Sequence, residues 1–391
     1  MNPLLLGSSL TPDIAGHANP AFRGVATAFE QAFKIKGFDA EVGATCAVMV
    51  DGEMVVDLWG GYADIDTATP WQRDTLVSCW SVSKSLCATL GLMLVDRGLL
   101  DLDRPVAEYW PAFGQHGKDR VLVRHLLDHR AGLSYVDPPL QAGDQYNWEV
   151  MVRALEQTAP NWPPGSRHGY LNMTMGYLLG ELFTRVNGGR RLAQFVREEL
   201  AEPLQLDWHF ALPKQLFPRI ATVYRKEEDS VANAVAAAPD SLFAKSMKGL
   251  DPSEDYNSKA WRGAQVGSGS SHANARAMAK LFGCLARGGE LDGVRLLSAE
   301  TLKLASTEAA AGEDGLLGMP MRYSTGFEMT CPPALPMGPS EEAFGYVGAG
   351  GAFAFADPTQ KFAFAYSPNF MHMGVGPGLS LIHISEPTRL Q

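Results

Sequence analysis

Ser81-Val82-Ser83-Lys84 stands at the head of a segment, Ser83 to Arg97, that puts Leu86, Leu90, Met93 and Leu94 on one helical face and closes at Gly98. Three residues make about one helical turn, so Ser81 and Lys84 share a face. A serine hydroxyl is a weak nucleophile at its own pKa. A neighbouring amine whose pKa is lowered by burial can accept its proton, and a helix N-terminus favours the negative charge that then develops. The bland reading is an N-capping serine followed by a solvated lysine, and four residues alone do not exclude it.

Upstream, residues 22–35 carry Val25, Phe29 and Phe33 at helical spacing. Two β-rich runs follow, Ala44 to Val50 and Glu53 to Trp59, joined by Asp51-Gly52, a pair suited to a type I′ turn. Gly60-Gly61 ends that hairpin. Downstream the text is mostly helical: Arg124 to His129 ending near Gly132, Met173 to Arg185, Leu192 to Glu199, and Asn274 to Arg287. Residues 226–262 are polar, Ala-rich and irregular, and read as a long loop or lid. Strand text returns at Tyr323 to Thr330, Gly351 to Ala356 and Lys361 to Tyr366. A hairpin at one end and strands at the other predict an α+β fold whose sheet is built from both chain ends. The domains expected are 1–75 with 263–391, and a mainly helical insertion, 76–262, holding the lid.

Composition bounds the function. The chain has 391 residues, 46% hydrophobic and 19% charged, which suits two or three domains with real cores and excludes a disordered chain. Its 40 glycines and 25 prolines follow no collagen period, so they predict turns. A formal charge of −10 without a basic block disfavours nucleic acid as a partner. No apolar run reaches the length of a membrane span, and Met-Asn-Pro-Leu-Leu-Leu-Gly lacks the basic start of a signal peptide. Cys46, Cys79, Cys87, Cys284 and Cys331 are odd in number and scattered, as buried thiols of a cytoplasmic protein would be.

Two further segments carry chemistry. Tyr170-Leu171-Asn172 follows the turn-rich Pro163-Pro164-Gly165; a phenol near ammonium groups can move protons, and an amide can hold a lysine or a substrate carbonyl. Alone, it reads as readily as a surface aromatic beside a loop. Gly345-Tyr346-Val347-Gly348-Ala349-Gly350-Gly351 offers backbone N–H groups and close approach to a ligand, or is merely a Gly-rich strand; it lacks the Gly-Lys-Ser/Thr ending of a phosphate loop. His125-Leu126-Leu127-Asp128-His129 approximates a zinc-peptidase pattern, with a packed helix end as its alternative. No Gly-x-Ser-x-Gly elbow is present.

The order Ser-x-x-Lys, Tyr-x-Asn, Gly-rich strand resembles the serine β-lactamase and penicillin-binding-protein superfamily, and most of all the family VIII carboxylesterases, relatives of class C β-lactamases. The resemblance spans roughly residues 20–378 and includes Trp59 to Asp64, Val123 to Leu127 with Ala131-Gly132-Leu133, Gly288 to Gly293, and Ala349 through Pro358. It implies a β-lactamase/DD-peptidase-like fold, an antiparallel sheet with flanking helices, and a site between two domains. It implies Ser81 as the acylated nucleophile, Lys84 as its activator, and Tyr170 as general base for acylation and for the deacylating water. Asn172 would orient Lys84 or the substrate. The N–H groups of Ser81 and Ala349, beside Gly348, would form the oxyanion hole, and Tyr346 would line the pocket. No cofactor or metal is implied.

One departure bears on substrate. β-Lactamases and peptidases of the superfamily carry Lys-Thr-Gly at the third motif, and family VIII esterases more often His-x-Gly or Trp-x-Gly. Here Tyr346-Val347-Gly348 holds no cation. That favours a small neutral ester over an anionic β-lactam or peptide. The expectation is a short-chain carboxylesterase with weak β-lactamase side activity; a β-lactamase or DD-peptidase-like amidase and a non-catalytic penicillin-binding-like module are the alternatives. Residues 380–391 do not resemble the family and suggest a foreign tail, which would uncover an apolar sheet face and invite a homo-oligomer.

Overall fold

Asp51 and Gly52 both take positive φ, 46° and 88°, and turn β2 (Gly43–Val50) tightly into β3 (Glu53–Asp64). The computed structural model of the protein describes residues 13–34, 40–137, 140–225, 235–247 and 255–371. Its centre is a 10-stranded antiparallel sheet. β1 (Ile14–Ala18) pairs with β3, and β3 with β2. A short strand, Thr69–Pro70, pairs with β3 off the main path, and the other six come from the far end of the sequence: β4 (Glu308–Glu313), β5 (Pro320–Ser324), β6 (Glu328–Met329), β7 (Phe344–Val347), β8 (Phe353–Asp357) and β9 (Phe362–Pro368). The spatial order is β1-β3-β2-β9-β8-β7-β6-β5-β4. β9 runs beside β2 in unbroken register from Phe362 opposite Val50 to Pro368 opposite Ala44. The sheet is therefore shared between the two ends of the sequence, as expected.

Helices pack on this sheet. α1 (Arg23–Ala32) sets Phe29 edge-on to Tyr366 of β9, with ring centroids 6.4 Å apart. Between β3 and β4 lie α2 (Lys84–Asp96), α3 (Val123–Leu127), α4 (Trp148–Gln157), α5 (Thr174–Val186), α6 (Leu242–Met247) and α7 (Ala275–Ala286). α7 lies against β2, β8 and β9, and Gly283 lets it approach Met49, whose Sδ would stand 2.9 Å from an added Cβ. The sequence predicts one apolar face on α2, yet every residue from Lys84 to Leu94 is buried. α2 is a core helix, enclosed by α5 and β7.

Several expectations are corrected. The predicted strand Tyr323 to Thr330 is two strands, because Gly326 turns at φ 102° between β5 and β6. The helix at Leu192 to Glu199 passes at Arg197 into a π-helical turn, Arg197–Ala201. β1, β4 and α4 carry no clear signal: β1 contains Gly16, and β4 is largely alanine. The larger hydrophobic cluster runs from Val25 to Tyr366, and a smaller one gathers Ala63, Trp71, Val77 and Ala221. A small sheet of Val77–Ser78, His272–Ala273 and Trp208–His209 joins chain on both sides of the expected boundaries at 75/76 and 262/263. The tail at 380–391 lies outside the described residues, as does part of the expected lid. No helix among the described residues is long and apolar enough to cross a membrane.

Candidate active site

The chain reaches Ser81 through a left-handed residue. Trp80 has φ 49°, a conformation costly for a bulky side chain and held here by tertiary contacts. Its ring is wedged against Tyr256 and Trp261, 4.6 and 5.7 Å away between centroids. The N–H of the preceding Cys79 is tied to the Ser271 carbonyl at 2.9 Å. Trp80–Ser83 then forms a 3-10 turn that leads into α2. Ser81 is half-buried at this corner and Lys84 is fully buried beneath it.

Lys84 Nζ donates to Ser81 Oγ at 3.1 Å and to the Ser268 carbonyl at 3.2 Å. It also lies 4.6 Å from the centre of the Tyr170 ring. Burial pushes the Lys84 ammonium down to about 7, opposed by the charge of Glu328. The Tyr170 hydroxyl is near enough to the Ser81 side chain for the two to interact. Burial and the negative charge of Glu328 hold the phenol well above its ordinary range. In the resting site Tyr170 is thus a protonated phenol, and Lys84 is the group that reaches a proton-accepting form near neutral pH.

The third motif completes the corner. β7 ends at Val347, and Gly348 packs directly on the turn before Ser81: a Cβ there would stand 2.8 Å from the Cys79 carbonyl oxygen and 3.0 Å from Trp80 Cβ. Gly348 is thus required by close approach. Its own N–H is spent on the Ala352 carbonyl at 2.6 Å. Ala349 follows, exposed, and its N–H, like that of Ser81, engages no acceptor among the described residues. Two free N–H groups beside a nucleophile are what a developing oxyanion needs.

Tyr346 departs from its expected place. It is fully buried below the site, because β7 turns its ring inward. Its hydroxyl donates to the Gly326 carbonyl at 3.0 Å and lies 3.3 Å from His129 Nε2. It is a core residue of this corner with no solvent-exposed surface. Asn172 is half-buried and does not hold Lys84, a task Ser268 performs; its amide donates to Met247 Sδ of α6 at 3.3 Å. The zinc pattern is also taken apart. α3 ends at Leu127, and His129 lies beyond it at φ 60°. His129 Nδ1 accepts the Leu171 N–H at 3.0 Å, and His125 Nδ1 accepts the Leu122 N–H at 3.2 Å. No cluster of three or more metal-ligating side chains gathers among the described residues.

Three residues enter that sequence reasoning missed. Ser268 caps Lys84 through its carbonyl. Asp314 fixes the Tyr170 backbone. Glu328, 4% exposed, accepts the Val347 N–H at 3.0 Å, and burial drives its carboxyl up to about 8. A signal for Glu328 was there to read: a lone acid inside the apolar run Phe327-Glu328-Met329 is an expensive residue to bury without a purpose.

This arrangement has relatives. The beta-lactamase family model matches residues 33–379. The esterase/beta-lactamase LipL of Mycobacterium tuberculosis is 33% identical over 371 residues, covering 91% of this chain and 83% of its own. A penicillin-binding protein homologue from Caulobacter crescentus superposes with a TM-score of 0.86 at 36% identity, over 96% of this chain and 99% of its own. A family VIII carboxylesterase superposes with a TM-score of 0.87 at 32% identity, over 96% and 98%.

Proposed function

The chain belongs to the beta-lactamase family, and from that premise we propose that it is a carboxylesterase that cleaves short-chain esters through an acyl-Ser81 intermediate. The observation that carries this reading is the contact of Lys84 Nζ with Ser81 Oγ at 3.1 Å, in a buried setting that lets the amine lose its proton near neutral pH. Ser81 Oγ attacks the ester carbonyl while its proton passes to Lys84. The oxyanion is received by the N–H groups of Ser81 and Ala349. Tyr170 hands its proton to the departing alkoxide and recovers one from Lys84, and water cleaves the acyl-enzyme by the same groups in reverse. The absence of a cation at Tyr346 supports a neutral substrate, and the names of the relatives LipL and the family VIII enzyme support an ester.

β-Lactam hydrolysis is the second reading, because the acyl-enzyme chemistry is common to both and LipL carries both activities in its name. The ratio of kcat/KM for a short aryl ester to that for nitrocefin separates them, and we expect it to exceed one. Four of the five free cysteines are buried, which suits a reducing, cytoplasmic setting. The direct test is intact-mass analysis during turnover of an aryl butyrate. Wild-type protein should gain one acyl group on Ser81, and Ser81→Ala should neither gain it nor turn over. Turnover by Ser81→Ala at the wild-type rate would remove the assignment.

A further inference from the structure

Gly267-Ser268-Gly269-Ser270-Ser271 has the composition of a flexible linker. In the fold all five residues are buried, and each serine hydroxyl is engaged. Ser270 Oγ accepts the Val266 N–H at 3.0 Å, and the Ser270 N–H donates to the Val266 carbonyl at 3.0 Å, so the run is wound into a closed turn. What this turn grips on either side is the catalytic corner.

One side meets α2 and α5. The Ser268 carbonyl accepts Lys84 Nζ at 3.2 Å, and the Gly267 carbonyl accepts the thiol of Cys87, three residues further along α2, at 3.6 Å. The Ser268 hydroxyl donates to the Met173 carbonyl at 3.0 Å and accepts the Gly176 N–H at 2.9 Å. Met173 is the N-cap residue of α5, and its own side chain caps nothing. Ser268 therefore does from a distant segment what an N-cap serine does locally: it satisfies an orphan N–H in the first turn of the helix. Gly176 makes the room, since a Cβ there would stand 2.3 Å from the Ser268 nitrogen and 2.4 Å from the Gly267 carbonyl carbon. Tyr170-Leu171-Asn172 leads into α5, so one residue ties the head of that helix to the amine of α2.

The other side meets the nucleophile turn. His272–Ala273 pairs with Val77–Ser78, and the ladder continues by bringing the Ser271 carbonyl to the Cys79 N–H at 2.9 Å. Ser271 Oγ shares a hydrogen bond with Ser83 Oγ at 2.6 Å, and the Ser271 N–H donates to the same Ser83 oxygen at 3.2 Å. Trp208 Nε1 donates to Ser271 Oγ at 2.8 Å and fixes its orientation. Ser271 thus holds the chain two residues before Ser81 and two residues after it.

We propose that residues 267–271 form a fourth element of the active site, with Ser268 and Ser271 as its positioning residues. Ser271 fixes the turn that carries the nucleophile and its oxyanion N–H. Ser268 fixes Lys84 against the segment that bears Tyr170. Neither hydroxyl moves a proton in the reaction, since both are spent on protein partners. Their contribution is registration: Ser81 and Lys84 stand at the head of α2 and Tyr170 before α5, and a displacement of about 1 Å between such groups can cost about 100-fold in rate.

This inference rests on the acyl-Ser81 reading, and its test separates the two. Steady-state kinetics on an aryl butyrate and urea midpoints are measured for wild type, Ser268→Ala, Ser271→Ala and Asn147→Ala. Asn147 caps α4 by accepting the Val150 N–H at 3.2 Å, so its loss removes a cap of the same kind away from Ser81. Lys84 and the Ser81 turn serve both acylation and deacylation, so both serine variants should lose about tenfold or more in kcat while KM stays within about twofold. Asn147→Ala should lower the urea midpoint and leave kcat at the wild-type value. A kcat within about twofold of wild type in either serine variant, or an equal fall of kcat in Asn147→Ala, overturns the inference and leaves the run a structural one. Wild-type turnover by Ser81→Ala would instead strike the acyl-enzyme reading itself.

Discussion

Both carboxylate oxygens of Asp314 meet the backbone N–H of Tyr170, at 3.1 and 3.0 Å. The same carboxylate accepts the N–H groups of Leu316 and Leu317 at 2.8 Å each, and the Tyr323 hydroxyl at 2.9 Å. A single buried acid thereby fixes the loop that presents the phenol to Ser81. Asp314→Ala strands these donors in the interior, at about 1–3 kcal/mol for an unsatisfied group. We expect a loss of stability on the order of 3 kcal/mol or more, read from the urea midpoint. kcat should fall with it through misplacement of Tyr170. An unchanged midpoint would refute this account of Asp314.

Gly348→Ala probes the oxyanion hole without touching a catalytic side chain. The new methyl would meet the Cys79 carbonyl and Trp80 Cβ at 2.8 and 3.0 Å, so β7 must retreat from the turn. Overpacking of this kind costs about 1–3 kcal/mol in stability. The larger effect falls on kcat, which should drop about 100-fold when the Ala349 N–H is displaced, while KM changes little. Steady-state kinetics on an aryl ester decide it; a kcat within twofold of wild type would show that Ala349 contributes nothing.

Three histidines make the fold acid-sensitive. Burial pushes His272 down to about 3 and His125 to about 4, and holds His129 well below its ordinary value. The unfolded chain takes up protons at these positions below about 6.5, and the folded chain does not. Stability is therefore complete above that pH and is lost as pH falls toward 4. Each fully buried histidine contributes a slope of about 1.4 kcal/mol per pH unit. Glu328 acts in the opposite sense, since its carboxyl is raised in the folded state and its contribution grows as pH falls through about 8. Three groups outweigh one. Unfolding free energies measured at stepwise pH should decline below about 6.5, and a level profile down to about pH 4.5 would contradict this prediction.

Charge at the third motif should govern selectivity. Tyr346 points into the core and Glu328 lies behind β7, so a substrate carboxylate finds no cation there. An uncharged short-chain ester should exceed its analogue bearing a carboxylate on the acyl side by about tenfold or more in kcat/KM, equivalent to about 1.4 kcal/mol. Competition between the two esters measures it directly, and preference for the anion would reverse the substrate reading.

Much of the frame was legible because its signals are local. Asp51-Gly52 fixes a hairpin by φ alone, and the Ser81–Lys84 spacing follows from the pitch of a helix. What escaped is set by contacts between distant segments. Ser268 acts through a backbone carbonyl, which no side-chain motif can announce. Asp314 and Glu328 stand among unremarkable neighbours, and only strand pairing brings them to Tyr170 and Val347. The inward turn of Tyr346 depends on which face of β7 is buried, and both faces are: all four residues of that strand are covered. Alternation therefore gives no clue.

The unbroken pairing of β9 with β2 has a consequence for how the protein is made. The partners stand roughly 300 residues apart, from Val50 with Phe362 to Ala44 with Pro368. On a ribosome adding about 5–20 residues per second, the β2–β3 hairpin would wait roughly 15–60 s for the strand that covers its inner edge. During that interval β2 presents unpaired N–H and carbonyl groups, the template on which foreign strands add. Slower translation of the helical middle would lengthen the exposure of that edge.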